Sequence, residues 1–199
     1  MLIEKKPHCT SCGGAFSLEL AAANTTQLYT ASHRFKTMPG FKDELLQLSK
    51  SLGISPQDFN AVGIHAWPSI MQKIESVFVI KTNSNTRFNW WWESFKGSSF
   101  SIFFENDLAS TVLHQLIDEK ETVWFVVCDT DHDPSKFWLF QATIRAIQTV
   151  LNEHCFFEYY IVSKKYSWLL CETDHSKLVG IGSIVTKMKA LHPNVGLAS

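Results

Sequence analysis

The sequence predicts an α+β protein: a mainly antiparallel sheet with helices packed on one face, preceded by a helical N-terminal segment. Three observations carry this. Apolar residues make up 45% of the 199 and aromatics 13%, enough to bury a sizeable core and too much for a disordered chain. Helical spacing dominates up to about residue 80, and short apolar runs separated by short polar turns dominate after it. The run Val123 to Cys128 (VWFVVC) is apolar throughout, as in a strand covered on both faces.

Along the chain, Phe16 to Ala23 reads as a short helix and Gln27 to His33 as a strand. FKDELLQLSKSLGI is a helix, with Leu45, Leu46, Leu48 and Leu52 near helical spacing and Gly53 as a stop. Ser55-Pro56-Gln57-Asp58 has the form of a helix start. Another helix follows Pro68, with Ile70, Met71, Ile74, Val77 and Phe78 on one stripe. The polar segment Lys81 to Thr86 is the best candidate boundary. Phe88 to Phe95 and Phe100 to Glu105 read as two strands of a hairpin, joined through Lys96-Gly97-Ser98-Ser99. Asn106 can cap a helix with Leu108, Val112, Leu116 and Ile117 on one face. After VWFVVC come an extended Phe137 to Phe140 and a helix over Ala142 to Glu153, with Ile144, Ile147 and Leu151 inward. Strands at Phe156 to Val162, Tyr166 to Cys171 and Leu178 to Ile181 follow, then a closing helix over Ser183 to Leu191. Short turns between successive strands favour antiparallel pairing. The organisation expected is an N-terminal helical extension over 1–66, an α+β core over 67–191 and a frayed tail over 192–199.

Eighteen basic and 19 acidic residues give a formal net charge of -1, with no dense Lys/Arg run, so a nucleic-acid surface is not expected. No apolar run reaches the roughly 18–20 residues that span a bilayer, so no membrane partner is expected. MLIEKKPHCTSCGG lacks the apolar stretch of a secretory signal. Five scattered Cys do not form a disulfide framework, and a reducing cytoplasm is the expected location.

Four constellations can carry chemistry. Cys9 and Cys12, in C-T-S-C beside His8, have the turn of half a zinc site, but tetrahedral zinc draws a second close pair and no other C-x-x-C exists. Free thiols are the reading adopted, with no metal and no cofactor. Asp129, Asp131 and His132 follow the VWFVVC strand in D-T-D-H-D. A strand ending in D-x-D is similar to the nucleophile loop of haloacid-dehalogenase-type phosphatases, yet that family's later Lys and acidic magnesium pair find no place here. The same residues begin like a calcium loop, but Pro134 and Phe140 stand where Gly and Glu are needed. A polar loop ending a strand accounts for them. Glu172 and His175 sit at one strand end, where they form either an acid–base pair or a hydrogen-bonded turn. Trp90, Trp91 and Trp92, followed by Glu93, alternate on a strand, so Trp91 points away from the other two and one side of the cluster can be an interface. Core packing is the competing reading.

Trp91 to Lys96 (WWESFK), Val123 to Phe125 (VWF) and Glu158 to Gly182 (EYYIVSKKYSWLLCETDHSKLVGIG) together resemble a group of small bacterial proteins classed only as a domain of unknown function. The resemblance spans about residues 67–190 and implies membership without an activity. In fold and texture the chain is also similar to small α+β immunity and antitoxin-type proteins of bacterial toxin systems. The function expected is therefore a non-enzymatic protein-binding module that binds and blocks a toxin. A metal-assisted hydrolase using Asp129, Asp131 and His132, or Glu172 and His175, is the alternative.

Overall fold

The computed structural model describes residues 40–81, 90–104, 109–129, 133–154, 157–173 and 175–195. The expectations for Phe16 to Ala23, Gln27 to His33, Cys9 and Cys12 lie outside the described residues, as do Asp131 and His132.

Seven strands form one sheet: β1 (Phe59–Ala61), β2 (Ser99–Phe103), β3 (Thr122–Asp129), β4 (Asp133–Thr143), β5 (Tyr159–Ser163), β6 (Trp168–Glu172) and β7 (Lys177–Gly182). Their order is β1-β4-β3-β5-β6-β7-β2, and every neighbouring pair is antiparallel. The VWFVVC run lies in β3, an interior strand between β4 and β5, which is why it carries apolar residues at both parities. Val123, Phe125 and Val127 face one layer, while Val126 faces the other. Strands β5 and β6 are buried at every position.

The first layer holds α1 (Phe41–Ser51), α3 (Leu113–Leu116), α4 (Ile144–Glu153) and α5 (Ile184–Val195). Leu45, Leu113, Ile147 and Met188 bring these helices onto Phe125, Phe140, Ile161 and Leu170. Thr143 ends β4 and starts α4 by accepting a 3.4 Å hydrogen bond from the Ala146 N–H. The opposite face is covered too. Helix α2 (Trp67–Phe78) lays Met71, Ile74 and Phe78 against Val126, Leu139, Tyr160 and Leu169. Helices on both faces correct the one-face expectation. Strands apolar on both faces need a second layer to keep water out, and the stripe of α2 supplies it.

Three local expectations change. Ser55 to Asp58 starts no helix. It closes a turn, the Asp58 N–H donating to the Ser55 carbonyl at 2.9 Å, and leads into β1. The pairing of Phe59 with Ala142 buries the phenylalanine and outweighs the capping signal. Residues 40–66 thus pack with the sheet, through β1 against β4 and Leu45 in the first core. The FSIFFE strand forms as β2, but its partner is β7, with Ser101 opposite Val179. The helix expected after Asn106 is broken into a 3-10 turn at Ala109–Val112 and the single turn of α3.

At the end of β7, Gly182 has φ +79, and a Cβ there would lie 2.3 Å from the Ser167 carbonyl oxygen. Both the positive φ and that close approach require glycine in the LVGIG run.

Candidate functional site

The tryptophan run is not a strand. Trp91–Ser94 form a 3-10 helix, and the segment joins the end of α2 through one isolated bridge between Val79 and Phe95. The Ile80 N–H donates to the Ser94 carbonyl at 2.7 Å and the Lys96 N–H to the Phe78 carbonyl at 2.8 Å. Side chains from the sheet capture the backbone groups that a ladder would have used. The Trp91 N–H donates to Tyr160 Oη at 3.0 Å. β-Propensity pointed to a strand, and this tertiary contact overrides it.

The three tryptophans end in three environments. Trp91 is 1% exposed, stacked on Phe137 with centroids 4.8 Å apart and tilted against Tyr160 at 5.1 Å. Trp92 is half-buried, and its Nε1–H donates to Glu158 Oε2 at 3.0 Å. Trp90 is 42% exposed, and Glu93, three residues on, is exposed. Ile80, 51% exposed, is bonded through its backbone to the same segment.

Glu158 organises this region from below. Only 3% exposed, it accepts the Trp92 indole N–H on one oxygen and the Tyr160 hydroxyl at 2.6 Å on the other. Burial, with help from Cys171 and Glu158, holds the Tyr160 phenol well above its ordinary range, so the hydroxyl keeps the proton it donates. Two neutral donors let a carboxylate sit in an apolar setting, where a bare charge would be costly.

Adjacent Tyr159 points to the other layer and donates to Glu172 Oε2. Burial and then the nearby Glu172 charge hold this phenol well above its usual value. Glu172 is thereby placed under the first helical layer. His175 lies on the opposite side, its ring edge-on to Trp92 at 6.2 Å. The two residues expected as an acid–base pair therefore point to opposite faces of the sheet. Asp129 ends β3, where the register shifts and pairs it with Asp133 of β4.

A second cluster lies beyond Trp124. Lys164 Nζ sits 2.9 Å from the centre of the Trp124 ring and donates to Gln141 Oε1 at 2.8 Å. Desolvation lowers the Lys164 amine to about 8, while the indole face beneath it favours the charged form. Lys164 lies over the half-buried indole as its cap, at the cost of part of its own hydration.

Glu158 and Tyr160 are the residues that sequence reasoning missed. A signal was present: an acid opening the strand EYYIV, all of whose other positions are buried, has no water to face and must meet donors inside. Ile80 carried no such signal, since its place beside the tryptophans depends on the bridge between Val79 and Phe95.

Among the described residues no helix is long and apolar enough to cross a membrane. No curated protein and no solved structure matches the chain. A family model covers residues 37–192, reaching α1 and β1 as well as the signature-bearing strands, and the chain belongs to that family, a family of unknown function (DUF6756).

Proposed function

We propose that the protein is a non-enzymatic protein-binding module of the bacterial immunity type, which binds and blocks a toxin in the cytoplasm through the surface of the tryptophan segment. The observation that carries this reading is the contrast within Trp90 to Trp92. One ring is sunk in the core and one is tied to a buried carboxylate, so the third is held outward on a fixed backbone. A large aromatic presented without conformational freedom costs little entropy to bind and is the commonest kind of interface anchor. Ile80 extends the apolar contact, and Glu93 supplies an acidic edge. The likeness in plan to immunity proteins supplies the class of partner.

The test is capture from the source organism on the immobilised protein, identification by mass spectrometry, and titration of the purified partner. Trp90→Ala is expected to weaken binding by about 2 kcal/mol, roughly thirtyfold, and leave the fold intact. Binding unchanged by both Trp90→Ala and Ile80→Ala would end the proposal.

A further inference from the structure

We infer that Glu158 is the positioning residue of the Trp90 surface: a buried carboxylate that latches the Trp91–Ser94 turn to the sheet, so that the contact surface exists only while the latch is closed. The inference rests on the protein-binding reading for its function, though its geometry stands alone. Glu158 is only 3% exposed. Its two oxygens nevertheless hold both routes into the segment. One takes the Trp92 indole N–H directly, and the other takes the hydroxyl of Tyr160, whose oxygen in turn accepts the Trp91 backbone N–H. These bonds fix the two residues that immediately follow Trp90. Among the described residues, the other backbone ties of the segment, from Ile80 to Ser94 and from Lys96 to Phe78, hold the far end of the turn. Without the latch the near end of the turn is held by the stacking of Trp91 on Phe137, without the hydrogen bond that orients Trp92, and Trp90 loses part of the fixed direction that makes it an anchor.

A hydroxyl or amide has a single acceptor oxygen, whereas the carboxylate gives each donor an oxygen of its own. Hydrogen bonds to a charged acceptor are also the stronger kind. Glu158 is therefore suited to hold a short turn that has no ladder of its own.

The test needs no partner. Amide hydrogen exchange and the indole N–H resonances are compared in the wild type, Glu158→Leu, Glu158→Gln and Trp92→Phe. Glu158→Leu removes the acceptor for both donors, and Trp92→Phe breaks the latch from the surface side without touching the sheet. In both, exchange at Trp91 and Trp92 is expected to speed by about tenfold or more, while amides of β3 and β5 stay within about twofold. Glu158→Gln retains an acceptor for the indole and is expected to restore part of the protection. The inference is overturned if exchange in the segment matches the wild type, or if all amides speed together, since the turn is then no separate unit. Should Glu158→Leu fail to fold, Trp92→Phe decides by the same criteria. Loss of the latch with partner binding unaffected by Trp90→Ala would sink the binding reading alone. An intact segment in these variants, with binding still lost in Trp90→Ala, would sink the latch alone.

Discussion

Tyr159 and Tyr160 stand next to each other on one strand, and each donates a hydroxyl proton to a buried glutamate on its own side of the sheet. The Tyr159–Glu172 pair is enclosed by Phe125 and Phe157 under the first helical layer. Tyr160 lies in the second core, and the carboxylate it bonds passes the contact on to Trp92. The same chemistry therefore has two uses. Inside a closed aromatic core it ties neighbouring strands β5 and β6 together. Beneath a short turn without a ladder, it sets the direction of a surface side chain. The difference comes from what lies above the carboxylate: Glu158 also takes the Trp92 indole N–H from the turn.

The comparison breaks most visibly at Trp91. Trp91→Ala removes the ring stacked on Phe137 and is expected to cost about 3–5 kcal/mol in denaturant unfolding, because the cavity cannot be filled from a turn. A loss under about 1 kcal/mol would mean the segment contributes little to the second core. Next comes Tyr159→Phe, which withdraws a donor from Glu172 inside the closed layer and is expected to cost about 1–3 kcal/mol. Its exchange effects are expected to spread over β3, β5 and α4, whereas those of Tyr160→Phe concentrate at Trp91 and Trp92. Matching exchange patterns in the two variants would remove the distinction between the pairs.

Alkaline pH probes both pairs more gently. Each phenol holds its proton more tightly in the folded chain than in the unfolded one, where it titrates near about 10. Above about pH 10 the unfolded chain thus binds fewer protons than the native one, and stability falls as pH rises. Below that the contribution is fully present. Urea titrations at increasing pH should show the decline, and either Tyr→Phe variant should flatten it. A stability curve that is level through this range would contradict the burial of both phenols. The smallest stability effect is expected at Trp90, where Trp90→Ala should stay within about 0.5 kcal/mol of the wild type. A larger loss would place that ring in the core with Trp91.

Much of this arrangement is legible along the chain. The β3 run and the inward residues of α4 follow from period and composition, which act within a few residues. The opposed burial of Trp90 and Trp91 is also expected from alternation, although the backbone that delivers it is a 3-10 turn instead of a strand. Ser55 to Asp58 shows the limit. Its capping pattern is sound locally, yet β4 offers Phe59 a buried partner, and the turn feeds a strand.

By itself, then, the sequence determined an α+β chain with an interior β3, strands joined by short turns, and a tryptophan run with unlike faces. These depend on side-chain period and on residues near one another in the chain. Only the tertiary structure decided that α2 covers the second face, that β2 pairs with β7, and that Glu158 holds Trp92. Glu158 and Trp92 are 66 residues apart, and nothing in either local neighbourhood specifies the other. Their meeting is set by the order of strands in the sheet, because β5, with Glu158 just before it, brings Tyr160 to the place where the turn after α2 comes down.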